Sequence, residues 1–304
     1  MIYTKDFSVI VPCWRGAIHF LPKLFDSIPE RDGVEIIVVD NSLEPFAKDE
    51  VKTNRLFTLL QSSPERHAGG SRNVGIENAS GKWLLFADAD DYFSNDAFDL
   101  FYNYLNTDAE LVYTCMGGIY ADTGEPSDRG DRYTQLVHDY CQGNISELDI
   151  RFGFPSPCCK MVSHELVDRY SLRYDEIRAS NDMFFSLTCG YYAKKIIAVE
   201  KISYIATINK GSLTQRLDFE VTKARLYGTL HCNQFLKQHG HSKYQGSVML
   251  KFYEARRYSL VQQMELIKML FKFRQNPFVG WKGWCKSLIL TIKSEKKDEK
   301  YIVR

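Results

Sequence analysis

The chain has 304 residues, 44% of them hydrophobic and 13% aromatic, enough to bury a core in one large domain or two smaller ones and too apolar for a disordered chain. Thirty-nine basic against 38 acidic residues leave a formal charge of +1, so no global positive field points to nucleic acid, and any nucleotide contact must be local. The eight cysteines lack the paired spacing of a zinc site and the density of a disulfide scaffold, which predicts reduced thiols in a cytoplasmic protein.

Residues 1–14, MIYTKDFSVIVPCW, pass straight into a strand pattern with neither a basic leader nor a small-residue cleavage site. No uncharged apolar run reaches about 18 residues, so neither secretion nor a membrane span is expected. Three apolar, β-branched runs, FSVIVP at 7–12, VEIIVVD at 34–40 and KWLLFAD at 82–88, predict buried parallel strands. Between the first two, Ile18, Leu21, Leu24, Phe25 and Ile28 recur at helical spacing; between the second and third, GGSRNVGIENASG predicts a short helix ended by Gly81. Further on, DAFDLFYNYL predicts a helix, ELVYTCMGGIY a strand and ADTGEPSDRGDR a polar loop. FGFPSPCCKMVS suggests a pocket wall or connection, HELVDRY and NDMFFSLTCGYYA helices, KKIIAVEKISYIA a strand, and the chain from about residue 216 is mostly helical.

In a β-α-β-α-β arrangement, ligands bind beyond the carboxyl ends of the strands, where loops and helix N-termini converge. Asp40 ends one strand and FADADD, with Asp88, Asp90 and Asp91, ends another. Alone, such an acidic turn is more often a solvated strand end than a site. Two aspartates one residue apart also suit a hard divalent cation that takes its remaining ligands from water and substrate phosphates. The Gly-rich helix start at 69–75, with Arg72, belongs on the same rim and suits phosphate.

In the order and spacing of FSVIVPCWRG, IIVVDNS, GGSRNVGIENASGKWLLFADADD and YDEIRASNDMFFSLTCGYYAKKI, residues 6–215 resemble the family 2 glycosyltransferases. The resemblance implies an α/β GT-A fold, a Rossmann-like, mostly parallel sheet flanked by helices. It implies a catalytic domain over 1–215, with a nucleotide-sugar-binding half (1–115) and an acceptor-binding half (116–215), and a helical C-terminal extension over 216–304. Pro12 would open the donor pocket, Asp40 contact the nucleobase, Arg72 lie beside the donor and Asp88 approach the ribose. Asp90 would ligate Mn²⁺ or Mg²⁺ on the diphosphate, and Asp91 shape the turn or stand behind the metal ligand. Asp182 matches the catalytic base, although Asn181 replaces the usual glutamate before it. The first strand ends in Pro12-Cys13-Trp14 where the family commonly has an aromatic-Asn pair, and Lys160 aligns loosely with a lysine that would contact acceptor or phosphate. Implied partners are a nucleoside-diphosphate sugar, chiefly a UDP-sugar, and a saccharide or lipid-linked acceptor of bacterial surface polysaccharide or glycolipid assembly. A sugar nucleotidyltransferase fits less well, because PCWRGAIHF lacks its Gly-rich basic loop; a catalytically silent sugar-binding or assembly protein is the alternative outside enzymes.

Taken singly, these residues have plainer readings. Asp182 suits a helix N-terminus, Trp14 a pocket wall or core position, Cys158 and Cys159 packing, and His67 and His138 solvated or structural positions. Residues 268–304 interleave ten basic and three acidic side chains with Phe, Trp and Leu. That mixture suits either a helix with a solvated lysine face or peripheral contact with anionic lipid on the inner face of the cell membrane.

Overall fold

KDFSVIVPC forms strand β1 (Lys5–Cys13), buried from Phe7 onward. This computed structural model describes residues 3–209 and 218–279, and its contacts divide the chain into two compact units, Met1–Ser212 and Leu213–Arg304. A 3-10 turn at Arg15–Phe20 leads into the short helix α1 (Leu21–Asp26), whose Leu21, Leu24 and Phe25 are buried. The chain returns as β2 (Val34–Asp40), parallel to β1 with Cys13 opposite Asp40. β3 (Thr58–Gln61), unforeseen because TLLQ is short and partly exposed, extends the sheet with Gln61 opposite Asp40.

Helix α2 (His67–Asn78) then crosses to β4 (Gly81–Phe86), which pairs parallel with the other side of β1. Gly81 opens β4 and does not cap α2, which ends at Asn78; a side chain at 81 would strike the backbone of Phe7 and Ser8. The acidic turn follows, then β5 (Tyr92–Phe93), α3 (Ala97–Asn103) and β6 (Leu111–Tyr120). Helices α4 (Asp131–Cys141) and α5 (Glu147–Gly153) fill a stretch without a clear sequence pattern.

KMVS is not part of an irregular connection: it forms β7 (Lys160–Ser163), antiparallel to both β4 and β6 in the interior of the sheet. Its four residues and its lysine hide the strand signal. α6 (His164–Arg169), α7 (Asp182–Tyr192) and β8 (Ile196–Ile208), parallel to β6, complete the sheet, ordered β3-β2-β1-β4-β7-β6-β8-β5. Only β5 and β7 run against the other strands, so the sheet is the mostly parallel one expected. Its core holds Val9, Ile10, Val11, Leu84, Leu111 and Val112, all essentially without solvent contact.

The second unit contains α8 (Phe219–Gln238), capped by Asp218, α9 (Met249–Ala255) and α10 (Leu260–Lys272), opened by a Ser259–Gln262 capping box. They enclose a core of Leu226, Leu230, Val248, Ala255 and Leu266. Residues 280–304, most of the basic and aromatic tail, lie outside the described residues. Among the described residues, no helix is long and apolar enough to cross a membrane.

Candidate active site

Parallel pairing puts the carboxyl ends of β1, β2 and β4 on one rim: Cys13 faces Asp40, and Ala87 donates its N–H to Ile10 O at 3.2 Å. The turn after β4 thus emerges beside Pro12. Within it, the three aspartates have separate surroundings. Asp91 is buried; Tyr204 Oη donates to its Oδ2 at 2.8 Å and the Thr207 N–H to its Oδ1 at 2.7 Å. The same Tyr204 hydroxyl accepts the Asp88 N–H at 2.9 Å, so β8 clamps the turn from behind. Burial, then Asp88 and Asp90, push the Asp91 carboxyl well above the usual range.

Asp90 is partly buried and accepts from Asn209 Nδ2 at 2.7 Å. Burial, then the charge of Asp88, raises its pKa. The Asp88 side chain keeps 43% of its surface exposed and pairs with Arg72 Nη2 at 2.6 Å.

Arg72 joins the halves of the site. Buried in α2, it gives Nη2 to Asp88 and Nη1 to Asn181 Oδ1 at 2.9 Å, and its guanidinium lies 5.3 Å from the Tyr174 ring. Its Nε is buried without a partner. Burial, the largest influence, opposes its charge, but Asp88, Tyr174, Cys158 and Asp182 together outweigh that cost and the pKa is raised. The geometry depends on close packing of α2 against residues 174–181. Asn73 exchanges hydrogen bonds with the Tyr174 backbone at 2.8 and 3.1 Å, and Gly69 lies so near Asp175 O that a Cβ would collide with it. Tyr174 in turn stacks on Phe185 of α7 at 4.0 Å. The start of α7, with Asn181 and Asp182, is thereby held beside the rim where β1, β2 and β4 end.

Asp182 is partly exposed in the first turn of α7. Burial raises its pKa, with Arg72 and Lys160 pulling it down and Asp88 adding to the rise. A carboxylate tuned upward is a better proton acceptor near neutral pH.

The remaining expected site residues fall in different settings. Pro12 is buried in β1. Trp14 is 62% exposed at the rim, which rules out a core position, and its ring lies over Gly16, where a side chain would collide with it. Asp40 is 1% exposed; its Oδ1 accepts from the Ser42 N–H and hydroxyl and its Oδ2 from the Phe46 N–H at 3.0 Å. It fixes the loop after β2. Lys160 is 3% exposed, donates to Phe154 O at 2.9 Å and lies over the rings of Phe154 and Tyr113. Its amine is sealed from solvent. Cys158 and Cys159 are buried and their thiols are raised by burial, as packing residues would be; His138 meets Glu200 at the surface.

The sequence marks Asn181 only as a missing charge and points to none of Tyr204, Tyr174 or Asn209. Asn181 had a signal, its position next to Asp182; the others sit in ordinary strand or loop sequence.

The donor set suits a hard divalent cation. Asp88 and Asp90 offer carboxylate oxygens on one turn, and Asp90 has a raised pKa and one neutral hydrogen-bond partner in Asn209. Among the described residues, no group of three or more His, Cys, Asp or Glu forms a closed protein cage; an open site of this kind fits a cation that shares its coordination with substrate phosphates.

The Glycosyl transferase family 2 model matches residues 8–171, β1 through the segment after α6. The chain is 25% identical over 230 residues to the glycosyltransferase GlyA of Streptococcus pneumoniae, covering 71% of this chain and 32% of that protein. It is 24% identical over 218 residues to the poly(ribitol-phosphate) beta-N-acetylglucosaminyltransferase TarS of Staphylococcus aureus, covering 67% and 36%. The chain thus spans about a third of the length of these relatives. In fold, it matches a crystal structure of TarS residues 1–349 in complex with UDP, with TM-score 0.60 and 20% identity, covering 88% of this chain and 80% of that one. It also matches a mannosyltransferase of Pyrobaculum calidifontis in complex with GDP-Man and Mn²⁺, with TM-score 0.54 and 15% identity, covering 94% and 86%. The sheet order, the acidic turn after β4 and the match over more than half its length agree: the chain belongs to glycosyl transferase family 2 and has the GT-A fold.

Proposed function

We propose that the chain is a metal-dependent inverting glycosyltransferase. It moves a sugar from a nucleoside-diphosphate donor, chiefly a UDP-sugar, to a hydroxyl of a saccharide or lipid-linked acceptor in bacterial surface polysaccharide or glycolipid assembly. The carrying observation is the Arg72 fork, which ties the carboxylate turn after β4 to the start of α7 through Asp88 and Asn181. The UDP bound by TarS and the GDP-Man and Mn²⁺ bound by the mannosyltransferase support the donor class and the metal. The poly(ribitol-phosphate) on which TarS acts joins the acceptors worth testing. The reading takes the protein as cytoplasmic, with residues 1–215 as the catalytic domain and 216–304 as its helical extension.

In this reading Pro12 and Trp14 border the donor, Asp40 sets the base pocket by direct contact and through the loop it holds, and Asp88 meets the ribose side. Asp90 holds Mn²⁺ or Mg²⁺, which supplies Lewis-acid stabilisation of the diphosphate worth roughly several kcal/mol. Asp182 accepts the proton of the acceptor hydroxyl while that oxygen bonds to the anomeric carbon from the face opposite the nucleotide. The bond from that carbon to the diphosphate oxygen breaks and the diphosphate keeps the electron pair, so the configuration inverts. Arg72 keeps the base and the donor side in register and holds the Asp182 pKa below what burial alone would set.

The test is release of nucleoside diphosphate from a panel of nucleotide sugars with Mn²⁺ and mixed acceptors, by the wild type, Asp90→Ala and Asp182→Asn. Transfer lost in both variants is expected. Pyrophosphate made from a nucleoside triphosphate and a sugar phosphate would replace this reading with a nucleotidyltransferase. Donor binding without transfer across the panel would replace it with a binding protein.

A further inference from the structure

Helix α10 is apolar on two sides. Leu266 is fully buried and, with Met269, Leu270 and Phe273, belongs to the core of the helical unit. Leu260, Met264, Ile267 and Phe271 follow one another at steps of four, three and four residues, which aligns them on one helix face roughly opposite that packing face. They are 78, 56, 43 and 78% exposed, and Val261 at the stripe's edge is 78% exposed. A surface helix ordinarily turns polar side chains to water, and a contiguous apolar stripe marks a surface that meets something.

The charges around the stripe choose the partner. Lys268 and Lys272 are exposed along its edge, and exposed Arg274 follows the last turn. The helix's one acid, Glu265, pairs with Lys223. Beyond the helix, Phe278 is 65% exposed, and the sequence runs on through Trp281, Lys282, Trp284 and Lys286. A second copy of this stripe would set lysine edge against lysine edge. A surface that is apolar within and negative at its boundary complements it. We propose that α10 lies on an anionic lipid bilayer, with Leu260, Met264, Ile267 and Phe271 entering the acyl boundary and Lys268, Lys272 and Arg274 at the lipid phosphates. This goes beyond glycosyl transfer and requires no donor, acceptor or turnover.

The experiment is flotation of the full chain with vesicles of phosphatidylcholine alone or with a third phosphatidylglycerol, beside sedimentation velocity without lipid. The wild type is expected to float with the anionic vesicles and to release as salt rises. Leu260→Gln with Phe271→Gln keeps helix-compatible side chains on solvent-facing positions and is expected to lower partitioning roughly tenfold or more. Lys268→Gln with Lys272→Gln is expected to lose roughly tenfold on anionic vesicles and nothing on neutral ones. Unchanged melting temperatures and circular dichroism would show that both variants fold. The proposal is overturned by no binding to anionic vesicles, by stripe variants that float as well as the wild type, or by a wild-type dimer that the Gln pair converts to monomer.

Discussion

Two regions beside α7 both take charge out of water, and they do so differently. At the turn after β4, the negative charges of Asp88, Asp90 and Asp91 crowd together, yet each keeps a distinct outlet: Arg72 for Asp88, Asn209 for Asp90, Tyr204 and Thr207 for Asp91. Asp88 also retains an open side. In the Lys160 pocket, one amine is closed in by Phe154, Tyr113 and three buried cysteines, with a carbonyl as its hydrogen-bond partner. Both regions hold perturbed ionisable groups, but only the turn keeps an open face, at Asp88, while Lys160 is closed to solvent. Perturbation alone does not identify a site; perturbation with an open face and a paired network does.

The largest loss is expected on the α7 side of the network. Asp182→Asn keeps the size of the proposed base and removes its proton affinity, so turnover should fall by about 10³-fold, within the usual contribution of a general base. Donor affinity, measured by calorimetry, should stay within about threefold. A comparable loss of donor affinity would move Asp182 from base to binding group. Asp90→Ala should do the reverse: kcat/KM falls on the order of 10²-fold, and donor binding no longer responds to Mn²⁺. If Mn²⁺ titrations of wild type and variant superimpose, Asp90 is not the metal ligand.

Arg72→Gln tests whether the two halves of the site are one network. Removing a buried cation from a buried pair costs about 3–5 kcal/mol, and the open side of Asp88 reduces that toward about 2 kcal/mol, read by urea unfolding. Arg72 also holds down the Asp182 pKa. Without it that carboxyl titrates higher, so the acid limb of kcat/KM should shift to higher pH. A loss of stability with an unmoved acid limb would reduce Arg72 to a packing residue.

The same contrast explains what the sequence disclosed. β1, β2 and β4 are legible because a strand buried on both faces is an unbroken β-branched run, and Asp88 and Asp90 are legible because charge at the end of such a run is conspicuous. β7 is hidden because four residues with a lysine give no period. β5 is hidden because two residues give none. The Asp91–Tyr204 clamp and the Arg72–Asn181 bond join residues more than a hundred apart, and local pattern contains nothing about such pairs. Asp182 by itself reads as a helix-start acid; only the order of the surrounding blocks singled it out. The exposure of Trp14 depends on how the chain leaves β1, which its neighbours do not announce.

Lys160 tests the other side of the contrast. Burial lowers its pKa from 10.5 to about 8. Below pH 8 the amine is charged in folded and unfolded chains alike, and folding bears the full cost of desolvating it. Between pH 8 and 10.5 the unfolded chain holds a proton that the folded chain has released, so stability rises with pH across that window. Lys160→Met fills the same space without the charge. At pH 7 it should stabilise the protein by on the order of 1–3 kcal/mol, and the rise between pH 8 and 10.5 should vanish from its urea-unfolding profile. Its turnover should stay within about twofold, because an amine bonded to Phe154 O and closed to solvent meets no substrate while the pocket stays shut. A tenfold loss confined to the KM for acceptor would instead give Lys160 the contact that the family resemblance suggests, and would mean that the pocket opens when acceptor binds.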